Sequence, residues 1–202
     1  MDDTLKDRIV RGLIRYESRI EETDEHYNEL EPYGRYPPDA PYGLKHLLPY
    51  WIHLLEEEEA DCENFRTEYA RITRKLAALE EKRGRGCREQ LREALQRDVD
   101  HYPTLVSYFT YQEPFELELP HELSIRSAIE ILLMELERDY DLQDLKQKVS
   151  ILDQVLKCKY LSEVKKVLEY YPEAEDPGFP DRFWWRHPLK ILEERQALLT
   201  GS

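Results

Sequence analysis

Two stretches of this chain place mostly apolar residues alternately four and three positions apart, and this spacing constrains the fold more than any other feature. The first stretch comprises Ile9, Leu13, Tyr16, Ile20, Thr23, Tyr27 and Leu30; the second comprises Trp51, Leu55, Glu58, Cys62, Phe65, Tyr69, Ile72, Leu76 and Leu79. Such alternation follows one narrow face of an α-helix. We therefore predict two long helices, over about residues 3–30 and 49–82, paired as a coiled-coil-like antiparallel hairpin.

The clearly polar member of each stretch predicts the register of this hairpin. If Leu30 lies opposite Trp51, then Thr23 faces Glu58. A single polar pair in an otherwise apolar seam fixes the alignment of two helices. We expect these two side chains to face each other. Because the same seams could pair between two chains, a homodimer is left open.

The rest of the chain predicts further helices around one extended segment. A third helix over 87–102 follows a glycine-containing turn. Residues 103–121 are rich in proline, β-branched and aromatic residues, which favours extended chain. Helical spacing returns over 122–139 and 142–159, in a short helix from an N-capping Ser162 to Tyr171, and from Pro188 onward.

These elements predict an all-α protein in two parts. The first is an N-terminal helical hairpin with its third helix (1–102), and the second is a smaller C-terminal helical unit (122–202). An extended connector (103–121) joins them, and the two units are free to share one core.

The charge balance is strongly acidic, with 43 Asp and Glu against 29 Lys and Arg and a formal net charge of −14. Such a surface repels phosphate backbones and anionic membranes, which disfavours nucleic acid as the main partner. No apolar run approaches the roughly 20 residues that span a bilayer, and the charged N-terminus differs from a secretion signal. The three cysteines are widely spaced, which indicates reduced thiols. We expect a cytoplasmic protein without a membrane anchor.

A local reversal of charge lies at the predicted turn between the second and third helices. Five cations occur there within eleven residues: Lys82, Arg83, Arg85, Arg88 and Arg92. Because no aromatic residue is interleaved for base stacking, we predict that this segment binds an acidic protein. The alternatives are an RNA or DNA contact and a solvated turn whose cations favour the helix dipole.

Two adjacent tryptophans, Trp184 and Trp185, precede the last predicted helix. Large aromatic rings are costly to expose to water, so they either anchor a partner or hold the C-terminal helix against the core. Both residues are therefore candidates for partner binding.

The same segment offers one catalytic alternative. Arg182 and His187 have the R-x4-H spacing, which resembles the ribonuclease motif of helical HEPN domains. The resemblance implies an arginine that orients phosphate and a histidine that acts in acid–base or nucleophilic chemistry at the scissile bond.

Other residues with reactive side chains are isolated. His53 and Glu57 share a helix face and could chelate a metal, but the acidic run around them favours a solvated surface. Cys87, next to Arg85 and Arg88, is the candidate for an exposed reactive thiolate, whereas Cys62 occupies a seam position and is predicted to be core. The sequence has no Gly-rich phosphate loop or G-x-S-x-G turn. We predict no catalytic residue, metal or cofactor.

These patterns favour a non-enzymatic protein–protein interaction module, such as an adaptor, assembly factor or regulator, that presents its hairpin and basic turn to a partner protein. A small helical nuclease and a nucleic-acid-associated regulator are the alternatives. The predicted partner-binding residues are Lys82, Arg83, Arg85, Arg88, Arg92, Trp184 and Trp185.

Overall fold

The computed structural model describes residues 4–25, 40–58, 60–111 and 119–200, and all regular elements within these ranges are helical. The α-helices are α1 (Leu5–Glu25), α2 (Pro41–Glu57), α3 (Glu63–Arg83), α4 (Arg85–Tyr111), α5 (Leu119–Leu136), α6 (Gln143–Tyr170) and α7 (Pro188–Thr200). Two 3₁₀ turns, Pro172–Ala174 and Trp184–Arg186, lie between α6 and α7. The predicted all-α class is confirmed. Within the described ranges, each helix is too short or too polar to cross a membrane.

The seam residues of α1 are buried, as their spacing predicts. Ile9, Leu13, Tyr16 and Ile20 are each at most 6% exposed, because intervals of three and four return to the same helix face. They belong to one hydrophobic cluster that continues through both halves of the chain as far as Trp185. The predicted limits of the two units and the connector stay a prediction.

The prediction of one continuous helix over residues 49–82 is wrong. Helix α2 begins earlier, at Pro41, which suits the first helical position, and it contains Pro49 in its interior. It ends at Glu57, where consecutive acids oppose the helix dipole. The Asp61 carboxylate then accepts a hydrogen bond from the Glu63 amide at 3.1 Å, at the start of α3. Residues 41–48, which lie between the two predicted helices, are therefore helical as well.

The break between α2 and α3 changes which residues lie opposite α1. Glu17 pairs with Arg71 at 2.6 Å and Glu21 with Lys75 at 3.2 Å, so α1 and α3 run parallel. Further along both helices, the Arg83 guanidinium donates to the Thr23 carbonyl oxygen. Glu58 is exposed at the other end of α3. The predicted pairing of Thr23 with Glu58 is therefore wrong, because it assumed one continuous helix lying antiparallel to α1.

Helix α2 is the antiparallel neighbour of α1. A Cβ atom at Gly12 would lie 2.8 Å from Cζ3 of Trp51 and 3.0 Å from Cδ2 of Leu48. Only glycine allows the two helices to approach this closely without displacing those side chains. This close packing of α2 against Gly12 determines which side of α1 faces solvent.

The predicted extended connector over 103–121 is also wrong where the structure describes it. Helix α4 continues through Pro103 to Tyr111, and α5 begins at Leu119; residues 112–118 lie outside the described ranges. Leu105 and Val106 are buried on the face that carries Val99 and Tyr102, so packing outweighs the β-favouring composition.

The two helices predicted over 142–159 and from Ser162 to Tyr171 are one helix, α6. The Ser162 hydroxyl donates to the Lys159 carbonyl oxygen at 2.7 Å, so it does not act as an N-cap.

The helices form two neighbouring groups. Helices α1, α2 and α3 pack on one another, whereas α4 packs mainly against α5 and α6 rather than back along α3; α2 contacts α5 where the groups meet. The closing segment (residues 171–187) returns from α6 toward the N-terminal group. The two groups therefore meet at two places: the α3–α4 turn, which links them along the chain, and the α2–α5 junction beside it.

Candidate functional site

The basic turn (residues 82–92) is a sharp, internally hydrogen-bonded connection between α3 and α4. Gly84 adopts a φ of 67°, a conformation that favours glycine, and its amide donates to the carbonyl oxygens of Glu80 and Glu81 at 2.9 and 3.2 Å. The Cys87 amide donates in turn to the Gly84 carbonyl oxygen at 3.2 Å. The predicted end of the helix at this position is confirmed.

The five predicted cations of the basic turn fall into two classes. Arg83 is half-buried and bonds the Thr23 carbonyl of α1, and Arg88 is half-buried beside Glu135 of α5. These two side chains attach the turn to both helix groups. Lys82, Arg85 and Arg92 are exposed, with the Arg92 guanidinium 5.2 Å from the ring centre of Tyr140. The turn therefore presents three of its five cations to solvent.

Glu135 is the centre of an ion cluster at the α2–α5 junction. Its carboxylate lies 2.9 Å from Lys45 Nζ, 3.1 Å from His46 Nε2 and 2.6 Å from Arg88 Nη1, and its side chain is only 3% exposed. Burial opposes its ionisation, but the hydrogen bonds from His46, Lys45 and Arg88 lower the pKa of Glu135 to about 2. The acid is therefore ionised at neutral pH and unsuited to donating a proton there.

A cavity of about 630 Å³ opens beside this cluster. Its lining balances the cations Lys45, Arg88 and Arg138 against acids that include Glu135 and Asp139. The volume is suitable for a small ligand, but the mixed charges favour neither anion nor cation. The sequence did not predict the cluster, because its members come from three helices that are distant along the chain.

Cys87 is buried next to this junction, and the prediction of an exposed thiol is wrong. Its side chain is covered because position 87 faces inward on the first turn of α4, and its sulfur lies 3.5 Å from the Tyr42 hydroxyl. That hydroxyl donates to Glu80 at 3.0 Å. Cys62 is buried, as predicted.

Trp185 is a core residue rather than an exposed anchor. It has no exposed surface, its Nε1 donates to the Ser127 hydroxyl at 3.1 Å, and the Arg126 guanidinium lies 4.2 Å from its ring centre. Trp184 is partly exposed and meets Tyr160 edge to face. Of the two tryptophans, only Trp184 presents surface to a partner.

Arg182 and His187, the pair with R-x4-H spacing, lie in different environments. Arg182 Nη2 is 2.6 Å from Glu130 Oε1 and its side chain is 46% exposed, whereas His187 is only 7% exposed. Glu130 also accepts a hydrogen bond from Arg126 at 3.0 Å. Arg182 thereby joins the closing segment to the buried Arg126–Glu130 pair of α5.

The pair of His53 and Glu57 is a surface ion pair at 3.5 Å with both side chains more than 60% exposed. Within the described residues, no group of three or more His, Cys, Asp or Glu is arranged to hold a metal ion.

The sequence did not predict a second cavity, which we call the arginine cavity. It measures about 390 Å³ and is lined by Arg8, Arg11, Gly12, Arg15, Leu44, Trp51 and Asp176. The three arginines recur at intervals of three and four, the same spacing that identified the apolar face of α1. Their spacing therefore places the three arginines on one face of α1.

Comparisons with protein-family models, curated proteins and solved structures found no match to this chain.

Proposed function

We propose that the protein is a non-enzymatic interaction module that binds an acidic segment of a partner protein at its basic turn. One observation carries the proposal: Lys82 and Arg85 are exposed on either side of Gly84, in a chain whose formal net charge is −14. A cationic surface within an acidic molecule attracts and orients an acidic partner.

The supports of the turn favour recognition by a preformed shape. Arg83 joins it to α1, Arg88 joins it to α5, and Gly84 fixes the reversal between α3 and α4. A surface held in this way loses little conformational freedom on binding, so more of the interaction energy appears as affinity.

A protein partner suits this surface better than nucleic acid does. The acidic remainder of the molecule repels a long phosphate backbone, and residues 82–92 contain no aromatic side chain for base stacking. A short acidic peptide segment can contact the turn without approaching the rest of the surface.

The first experiment identifies the partner by photo-crosslinking in cells of the source organism. A photoreactive amino acid replaces Gly86, where an added Cβ atom meets nothing within 4 Å. The expected product is one protein, crosslinked within a segment rich in Asp and Glu. Crosslinking to nucleic acid, or to a partner segment that lacks acids, would contradict the proposal.

The second experiment measures the affinity of that purified partner for matched charge-reversal variants. Arg85→Glu should weaken binding by about tenfold or more, whereas Arg74→Glu, at an exposed arginine of α3 outside the turn, should leave it nearly unchanged. Equal losses in both variants would mean that only net charge matters. An unchanged affinity of Arg85→Glu would exclude the basic turn as the binding surface.

A further inference from the structure

Helix α6 has an outward face whose residues recur at intervals of four and three, like those of a helix–helix seam. The opposite face, with Val149, Leu156 and Tyr160, is buried in the core. The outward face is exposed throughout and comprises Asp144, Lys148, Ile151, Val155, Cys158, Ser162 and Lys165. These intervals return to one side of a helix, so the seven positions form a single stripe, roughly 32 Å long. We call it the α6 stripe.

The middle of the α6 stripe is apolar. Ile151 and Val155 are 56% and 48% exposed, and Cys158 beside them is also exposed. Side chains one turn apart on a helix are neighbours, so these three form a continuous patch whose covering removes apolar area from water. A two-fold interface brings two copies of such a patch together, which doubles the apolar area that is covered.

The two ends of the stripe carry opposite charges. Asp144 lies ten residues before position 154, and Lys165 lies ten residues after position 155. Both side chains are exposed, and within the part of the chain that the structure describes neither has an ion-pair partner. If two copies of α6 lie antiparallel about an axis between these positions, each Asp144 faces the partner's Lys165. The same axis places Ile151 opposite the partner's Cys158, because each lies three residues from the centre.

The charge of α6 also favours this face as the contact between two copies. The whole chain has a formal net charge of −14, so two copies repel each other over most of their surface. Helix α6 differs, because it carries six Lys against four Asp and Glu. The repulsion is therefore weaker where two α6 stripes meet.

We propose that the α6 stripe binds the α6 stripe of a second copy of this chain, as an antiparallel helix pair with an apolar centre and an ion pair at each end. A contact between one helix from each copy is small for a protein–protein interface, so we expect a dissociation constant on the order of 10 µM. The stripe is separate from the basic turn, so either proposal can fail without the other.

The first test is sedimentation equilibrium of the intact chain at several concentrations, which should show a reversible monomer–dimer equilibrium. Ile151→Glu should weaken dimerisation by about tenfold or more, because a carboxylate would then be buried against apolar side chains. Ile14→Glu is the matched control: Ile14 is a 64% exposed isoleucine on α1, and this variant should dimerise like the unaltered protein. A chain that stays monomeric up to about 0.5 mM would exclude a second copy and reassign the stripe to a different partner. Equal dimerisation by the two variants would exclude the stripe as the interface.

The second test examines the direction of the pairing with Asp144→Lys and Lys165→Asp. Either variant alone places like charges opposite each other at both ends of the helix pair, so each should dimerise about tenfold more weakly than the unaltered protein. An equimolar mixture of the two brings opposite charges together at both ends and should form heterodimers nearly as stable as the original dimer. A mixture that dimerises no better than its components would overturn the antiparallel alignment.

Discussion

Arg8 binds Asp176, a residue 168 positions later in the chain, through two parallel hydrogen bonds of 2.7 and 2.8 Å. Next to this pair, the Trp51 indole donates to the Gly178 carbonyl oxygen at 2.5 Å. The closing segment is therefore held against both α1 and α2. The same guanidinium forms one wall of the arginine cavity, so the shape of that cavity depends on a contact between the two ends of the described chain.

Asp176→Asn should lower the free energy of unfolding by about 2 kcal/mol, because a partly buried, charge-assisted pair of hydrogen bonds is lost. Burial opposes ionisation of this acid, but Arg8 holds the pKa of Asp176 below its ordinary value. Its stabilising contribution is therefore complete above the unfolded pKa, about 4, and is lost as the pH falls below that. Urea unfolding at pH 7 and pH 3 measures both effects.

Asp181→Asn is the control. Its ion pair with Lys190 measures 2.6 Å, but the Asp181 side chain is 74% exposed, so the loss of stability should be much smaller than for Asp176→Asn. Equal losses at the two positions would mean that the link from Asp176 to α1 does not contribute to stability.

Glu135→Gln should lower the free energy of unfolding at pH 7 by on the order of 3 kcal/mol, because three basic side chains lose a buried carboxylate. The pKa of Glu135 is lowered to about 2, so its contribution is complete above about pH 4.5 and declines as the pH falls toward 2. Chemical unfolding across this range should show the unaltered protein and the variant converging.

Glu137→Gln provides the matched comparison two residues away. Its partner Lys146 lies at 3.0 Å, and both side chains are more than 40% exposed. We expect a change below about 1 kcal/mol at pH 7. If Glu135→Gln were as stable as Glu137→Gln at pH 7, the ion pairs of Glu135 would only compensate the free energy of removing these charges from water, with no net gain in stability.

Trp185→Ala should cost about 3–5 kcal/mol, since a fully buried aromatic side chain is removed together with its hydrogen bond to Ser127. Trp184→Ala should cost less, because Trp184 is already partly exposed. Thermal unfolding of the two variants measures the difference. If Trp184→Ala were the more destabilising, Trp185 would not be the main aromatic support of the closing segment.

Helical periodicity predicted the elements that depend on one helix face. Ile72, Leu76 and Leu79 are buried on α3, and a helix begins at Pro188, because intervals of three and four or a helix-starting proline act locally. The same periodicity ran without interruption through the break between Glu57 and Glu63. Spacing records which side of a helix faces inward, but it does not record where the helix ends.

The sites depend on long-range pairing, and this explains why the sequence predicted them poorly. Glu135 meets Lys45 and Arg88 from two other helices, and Arg8 meets Asp176 from the opposite end of the described chain. No local pattern specifies which of 43 acids accompanies a given cation. The basic turn was predictable because its cations are neighbours in the sequence.

Gly84→Ala and Gly86→Ala should shift stability in opposite directions, although a Cβ at either position meets nothing within 4 Å. Gly84 has a φ of 67°, so alanine there should cost about 1–2 kcal/mol of backbone strain. Gly86 lies within α4, where alanine should stabilise the helix by about 0.5–1 kcal/mol. Urea unfolding of both variants distinguishes strain from packing. Because neither change alters charge, loss of partner binding in Gly84→Ala alone would indicate that recognition requires the shape of the turn, whereas equal binding by both would leave its exposed cations as the determinant.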